Sequence, residues 1–219
     1  TLREGASADS SPLTARGETM PGDTNMKRVT LLRHGQSKAQ VCHQFGLSRK
    51  DPVLRDCTLT RRGEEEARAV GKIITEAPEL IVTSPLTRAI ATTLLLGVRD
   101  APIVAHPAIC EFGGKVPENY PRSVGELRRD AYLHSLPRFA DVDFSEVDEG
   151  PGDGDFLTWL RRRPETDIWV VCHFNVIRAF LRDDNVRDVP NCLPIVCVLG
   201  ENGPLRLLGG HRRAATGAK

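Results

Sequence analysis

Aromatic residues are scarce: they make up 5% of the 219 residues, with two Trp and two Tyr. Single-strand nucleic-acid surfaces stack bases on aromatic rings beside cations. The one arginine run, Arg161-Arg162-Arg163, has no aromatics interleaved with it. Charge of one sign is missing too, because 30 Lys and Arg face 29 Asp and Glu for a formal net charge of +1. That balance disfavours nucleic-acid and anionic-membrane partners and confines anion recognition to a local cluster. No apolar run approaches the roughly 18–20 residues of a membrane span. The longest aliphatic stretches, at Leu94-Leu95-Leu96 and Leu193–Leu199, are the size of a strand or helix. The six cysteines (Cys42, Cys57, Cys110, Cys172, Cys192, Cys197) show no CxxC spacing and no zinc-type pairing with histidine. They read as reduced, mostly buried thiols in a reducing compartment, so a cytoplasmic location is expected. An organelle is the alternative if the first residues are a processed transit peptide.

What is present organises into one domain between two tails. Residues 1–25 hold Ser, Thr, Gly, Pro, Ala and dispersed charge without apolar periodicity, which predicts a flexible tail. A catalytic domain is expected over 26–210, and a second flexible tail over 211–219. Within the domain, Val29–Leu32, Leu80–Val82, Ile103-Val104, Ile168–Val171 and Ile195–Leu199 read as strands without strict alternation, as in a sheet covered on both faces. Helical patterns fall between them. Glu64–Thr75 puts Ala67, Val70, Gly71 and Ile74 on one face. Ser84-Pro85 reads as an N-cap with Pro at the first helical position, with Gly97 as the stop. Ser123-x-x-Glu126 is a capping box, and Asp155–Leu160 and Asn175–Leu181 complete the set. Alternating strands and helices predict a three-layer α/β/α sandwich around a mostly parallel sheet.

Ligands of such sheets sit beyond the carboxyl ends of the strands. Arg33-His34-Gly35-Gln36-Ser37 follows the first strand, Ser84 to Ala89 the second, a loop with Glu111 the third, and Cys172-His173 the fourth. Two histidines, two arginines and a carboxylate are thus predicted on one rim. A neutral imidazole with one nitrogen pinned is a nucleophile through the other. Guanidinium forks match phosphoryl oxygens, a protonated second histidine adds a donor, and a carboxylic acid can protonate a leaving alkoxide and then activate water. The set describes phosphoryl transfer through a phosphohistidine, with arginines neutralising charge in place of a metal. No cofactor and no metal are predicted.

These residues resemble a known family. Arg33-His34-Gly35-Gln36-Ser37, Leu59-Thr60-x-x-Gly63-x-x-x-Ala67, Ser84-Pro85-Leu86-x-Arg88-Ala89-x-x-Thr92 and Val171-Cys172-His173-x-x-x-Ile177-Arg178 are similar to blocks of the histidine phosphatase superfamily, the phosphoglycerate-mutase-like proteins. The resemblance runs in order from about Arg28 to Leu199. It implies His34 as the phosphorylated residue, with Arg33, Arg88 and His173 completing the phosphate pocket, and Ser37 and Gln40 beside it. It implies an acid on the loop of Glu111, because Phe174 and not Asp follows His173. Glu118 and Glu126 are rivals on that loop. Phe174 also departs from the Gly common at its position.

Blander readings stand beside these. Without its neighbours His34 is an ordinary loop histidine, Arg88 a solvated residue of a helix first turn, His173 a satisfied core histidine, and Glu111 a loop carboxylate. His43, His106, His134 and His211 read as structural or solvent-facing, and Glu64-Glu65-Glu66 as complements of a helix dipole. Gly150–Asp155 mimics a phosphate loop but follows no strand and lacks the GK[ST] ending.

Cys110-Glu111-Phe112-Gly113-Gly114 stands where a cofactor-dependent mutase resembles Asn-Glu-Arg-x-Tyr-Gly. A phosphatase acting on a phosphorylated small molecule is therefore expected, with a mutase-type phosphotransferase or a lapsed phospho-ligand binding module as alternatives. Lys115, Arg122, Arg128 and Arg129 are candidates for contacting a second anionic group. Oligomeric state is left open.

Overall fold

In the computed structural model, residues 26–149, 155–181 and 188–208 are described. Both expected tails, with His211, and the glycine-rich residues 150–154 lie outside them. Among the described residues seven strands form one sheet: β1 (Lys27–Arg33), β2 (Leu80–Thr83), β3 (Ile103–Ala105), β4 (Val142–Asp143), β5 (Asp167–Cys172), β6 (Ile195–Leu199) and β7 (Arg206–Leu207). Their order across the sheet is β4-β3-β2-β5-β1-β6-β7. The first five positions run parallel, while β6 and β7 pair antiparallel at one side. The helices are α1 (Lys38–Gln44), α2 (Arg61–Ile73), α3 (Thr87–Leu95), the single turns α4 (Val124–Leu127), α5 (Ala131–His134) and α6 (Ser145–Asp148), then α7 (Phe156–Arg162) and α8 (Phe174–Leu181).

The two faces of the sheet carry separate cores. Leu32, Ile81, Trp169 and Val171 point to one face and pack with Ala67 and Val70 of α2 and Ala89, Ile90 and Leu94 of α3. Leu31, Val82, Ile168 and Val170 point to the other and pack with Phe156 and Leu160 of α7 and Val176 and Ile177 of α8. Successive strand residues alternate between faces and both faces are covered, so the inner residues of the central strands are apolar but for Thr30 in β1. This is the expected three-layer sandwich. No helix among the described residues is long and apolar enough to cross a membrane.

All five expected strands form, but several local details differ. The two-residue strands β4 and β7 and the one-turn helices α4–α6 offer too few residues for a period to register, although the Ser123–Glu126 capping box at α4 forms as read. Asp155 caps α7 through Thr158 N at 2.9 Å. Of the six cysteines, all free, only Cys172 and Cys197 are buried; the other four are half-buried.

The largest correction concerns α3. It begins at Thr87, with Leu86 at the cap position, rather than at Ser84-Pro85. Its first amide is satisfied from outside: Thr87 N donates to Asp56 Oδ1 at 2.8 Å, and Thr87 Oγ1 donates to Asp56 Oδ2 at 2.6 Å. Asp56 has a positive φ of 42°, a region short polar residues tolerate better than most. Its carboxylate also accepts from Arg122 Nε at 3.0 Å, and Arg122 pairs in turn with Asp130 at 2.7 Å. Arg122, read as a substrate contact, is therefore a structural ion-pair partner. Arg128 lies near Asp148 at 3.9 Å and over the Phe144 ring.

Asp56→Ala leaves the Thr87 amide and part of the Arg122 charge unpaired in a nearly closed setting. It is expected to cost about 3 kcal/mol in urea unfolding. Asp56→Asn, which keeps an acceptor and tolerates the backbone, costs less; equal losses would contradict the distal-cap role.

Candidate active site

The carboxyl ends of β1, β5 and β2 lie in step. Arg33 pairs with Cys172 and Thr83 with Val171, so His34, His173 and Ser84 are each the first residue past its strand. The ladder continues one step further, with His34 N donating to Cys172 O at 3.1 Å and Ser84 N to Val171 O at 3.0 Å. The two imidazole rings end 5.1 Å apart.

The turn after β1 is fixed by backbone contact. A Cβ on Gly35 would lie 2.3 Å from Gly63 O, and one on Gly63 would lie 2.2 Å from Gln36 O, so neither position admits a side chain. The first turn of α2 is thereby pressed against the loop that carries His34. Gly35 N donates to Thr92 Oγ1 at 3.0 Å, and Thr92 Oγ1 donates to Arg88 O at 2.7 Å. Gln36 N donates to Glu66 Oε2 at 2.9 Å, so Glu66 contributes more than a dipole complement. Ser37 caps α1 in a reciprocal box with Gln40, whose side-chain oxygen accepts from Ser37 N at 2.9 Å.

His34 is 4% exposed. Its Nδ1 lies 2.7 Å from Gly35 O. A carbonyl only accepts, so Nδ1 carries the proton and Nε2 the lone pair. Arg88 Nε donates to that lone pair at 3.2 Å. Burial first, then the Arg88 and Arg33 charges, hold the His34 pKa well below the ordinary imidazole range. Arg88 is itself buried, with Nη1 donating to Glu118 O at 2.5 Å and Nη2 to Asn119 Oδ1 at 3.2 Å. Arg33 donates through Nη1 to Val189 O at 2.7 Å, while its buried Nε meets no partner.

His173 is fully buried, shares a 2.8 Å hydrogen bond between Nε2 and Ser84 Oγ, and leaves Nδ1 without a partner. Burial, then the Arg88 charge and the neighbouring His34, push its pKa well down, so the protonated form entertained above is disfavoured.

The three candidate acids separate clearly. Glu111 lines the cleft, accepting from Phe112 N at 3.0 Å and Asn175 N at 3.5 Å, and burial raises its pKa above the ordinary carboxylate range. Burial also acts on Glu118, but hydrogen bonds from Arg49 and His43, each at 2.8 Å, outweigh it and hold that carboxyl low. Glu126 is committed to the α4 cap and to Arg55.

The cleft holds ≈ 310 Å³ and is lined by Arg33, His34, Ser37, Gln40, His43, Arg49, Arg88, Glu111, Gly113, Glu118, Asn119, Phe174 and Asn175. All the expected site residues line it except His173, which backs His34. His43, read as structural or solvent-facing, lines it as well, and of the arginines outside the expected set it is Arg49, not Arg122, that lines it. His106 is structural as read, its Nδ1 accepting from Ala108 N and its ring packed on Phe156 and Trp159.

Asn191 was missed. Its Nδ2 donates to His34 O at 2.6 Å, and its Oδ1 accepts from Gln40 Nε2 at 3.1 Å. An Asn between Pro190 and Cys192 carries only a turn signal in sequence. Among the described residues, no group of three His, Cys, Asp or Glu side chains could hold a metal ion.

Residues 29–188 match the model of the histidine phosphatase superfamily, branch 1. A 2,3-bisphosphoglycerate-dependent phosphoglycerate mutase of Corynebacterium glutamicum is 27% identical over 85% of this chain and 91% of its own. Among solved structures, an Escherichia coli protein proposed to be an alpha-ribazole-5'-P phosphatase superposes with a TM-score of 0.53 at 20% identity, covering 88% of this chain and 99% of that one. A phosphoserine phosphatase of Entamoeba histolytica, in complex with 3-phosphoglyceric acid, gives 0.50 at 18% identity, with 84% and 95% covered. At these identities the superpositions speak for the fold. The family match spans well over half the residues and includes the loop of His34, Arg88 and His173, so the chain belongs to the histidine phosphatase superfamily.

Proposed function

We propose that the protein hydrolyses phosphomonoesters of small molecules through a phosphohistidine on His34, without a metal ion. One observation carries the reading: the Nδ1–H of His34 is pinned on Gly35 O, which leaves the lone pair on Nε2, where Arg88 Nε donates to it until a phosphoryl group takes its place. In the first step Nε2 attacks phosphorus, the bond to the ester oxygen breaks, and Glu111 gives that oxygen its proton. In the second, ionised Glu111 takes a proton from water, the water oxygen bonds to phosphorus, and the phosphorus–Nε2 bond breaks.

Arg33 and Arg88 take the phosphoryl oxygens, to which Ser37 and Gln40 stand close. The partnerless Arg33 Nε is a donor such an anion would satisfy. Glu118, held ionised by Arg49 and His43, is poorly suited as the acid. The likeness to a phosphoglycerate mutase favours a second reading, in which the phosphoryl group passes to another hydroxyl instead of water.

His34→Ala is expected to lower p-nitrophenyl phosphate turnover in EDTA by about 1,000-fold or more. The parent, quenched during turnover, should give an acid-labile, base-stable phosphoprotein. Absence of parent turnover in EDTA, or equal rates in the variant, would contradict the proposal. Transfer of phosphate to an added alcohol in excess of hydrolysis would favour the mutase reading.

Glu111→Gln is expected to slow an alkyl phosphate by about 100-fold, and p-nitrophenyl phosphate much less, because only the alkoxide needs a proton. Equal losses would point to another acid.

The pH dependence follows from the same groups. Burial raises the Glu111 pKa, so its proton is retained to higher pH than in an ordinary glutamate. For an alkyl phosphate, kcat/KM should fall as pH rises through that raised value, after correction for the ester's own ionisation near pH ~6. Glu111→Gln should lack this limb. Its persistence in the variant would remove Glu111 from the role.

A further inference from the structure

The side chain of Phe174 has a surrounding that the proposed chemistry does not use. Phe174 opens α8 directly after His173 and lines the cleft. Two guanidiniums lie over its ring, Arg33 with Cζ 5.3 Å from the ring centre and Arg178 with Cζ 5.5 Å away. Both arginines keep a buried Nε that meets no partner. Among the described residues Arg33 has a single direct hydrogen bond, from Nη1 to Val189 O, which fixes one corner of the fork. An aromatic face is attractive to a cation yet accepts no specific hydrogen bond. It can therefore hold a guanidinium in plane while leaving its N–H groups unspent.

We propose that Phe174 is a positioning residue that orients Arg33 for the phosphoryl group by cation–π contact, with Arg178 bracing the same ring. This rests on the reading of Arg33 as a phosphoryl ligand. A hydrogen-bonding residue in the same place would hold Arg33 by consuming donors meant for the ligand. The ring holds it at no such cost. Arg178 matters because a ring that carries two cations is itself restrained, and Arg178 reaches it from the next turn of the same helix, four residues on.

The test separates an aromatic requirement from simple space filling. Phe174→Leu keeps apolar bulk and loses the ring face, whereas Phe174→Tyr keeps the face. Inhibition by inorganic phosphate and the KM and kcat for p-nitrophenyl phosphate are measured for the parent, Phe174→Leu, Phe174→Tyr, Arg33→Ala and the Arg33→Ala/Phe174→Leu double variant. The Leu variant is expected to weaken phosphate binding about five-fold and to raise KM more than it lowers kcat. Tyr should restore binding to within about twofold. In the Arg33→Ala background the Leu change should have no further effect on phosphate binding, because the group it positions is gone.

Leu and Tyr behaving alike, or the Leu change acting fully without Arg33, would overturn the proposal while leaving the phosphate pocket intact. An Arg33→Ala variant that binds phosphate as the parent does would overturn the pocket assignment itself, and the proposal with it. Thermal unfolding of the Leu and Tyr variants shows whether either change acts through folding. If phosphate affinity follows stability across the two and not the presence of a ring, the positioning role is overturned.

Discussion

The site depends on the pairing register of three parallel strands. Side chains alternate along a strand, so a slip of one residue would move every side chain into the core on the opposite face. The residues that sit between two packed helical layers make such a slip prohibitive, since Leu31 and Leu32 on β1, Val170 and Val171 on β5 and Ile81 and Val82 on β2 are all buried on their own faces. The same register brings Arg33 beside Cys172 and Thr83 beside Val171. His34, His173 and Ser84 follow immediately, without intervening loop. The two hydrophobic cores therefore hold the distance between His34 and His173 as well as the fold.

The electrostatics of the cleft follow from where charge is taken out of water. Net charge across the chain is +1, yet Arg33 and Arg88 converge on one buried imidazole. Guanidiniums keep their charge when desolvated, whereas imidazoles lose theirs. Both histidines are pressed toward neutrality and the Glu111 carboxyl toward protonation. One environment thus favours a neutral imidazole, a carboxyl that keeps its proton to higher pH than usual, and fixed cations. Glu118 shares that wall of the cleft but differs in its partners, since Arg49 and His43 pair with it directly.

Much of this was legible in sequence, for identifiable reasons. The buried strands announce themselves by apolar β-branched runs, and the residues after them fall on one rim by the logic of parallel sheets. His34, Arg33, Arg88, His173 and Glu111 were all located this way. What escaped depends on contacts distant along the chain. The true start of α3 is set by Asp56, 31 residues away from Thr87, and no local signal at Ser84-Pro85 could reveal it. Arg49 and His43 enter the cleft because Glu118 draws them there across 69 and 75 residues. Asn191 reaches His34 over 157 residues. Periodicity and capping rules read neighbours, so contacts of this kind are invisible to them. The choice among Glu111, Glu118 and Glu126 was open for the same reason: three carboxylates on one loop look alike until their partners are known.

The contact between Gly35 and Gly63 has a consequence for how this chain can change. Most tight contacts in a protein can be relieved by trimming the neighbour, so a larger residue on one side is compensated by a smaller one opposite. Here each position faces the other segment's main-chain atoms, Gly63 O for Gly35 and Gln36 O for Gly63, which trimming a side chain does not remove. No second substitution can make room. The loop of His34 and the start of α2 are thus joined without any adjustable part, and a variant library covering both positions should contain no rescuing pairs. At this seam the chain has no reserve of sequence to draw on.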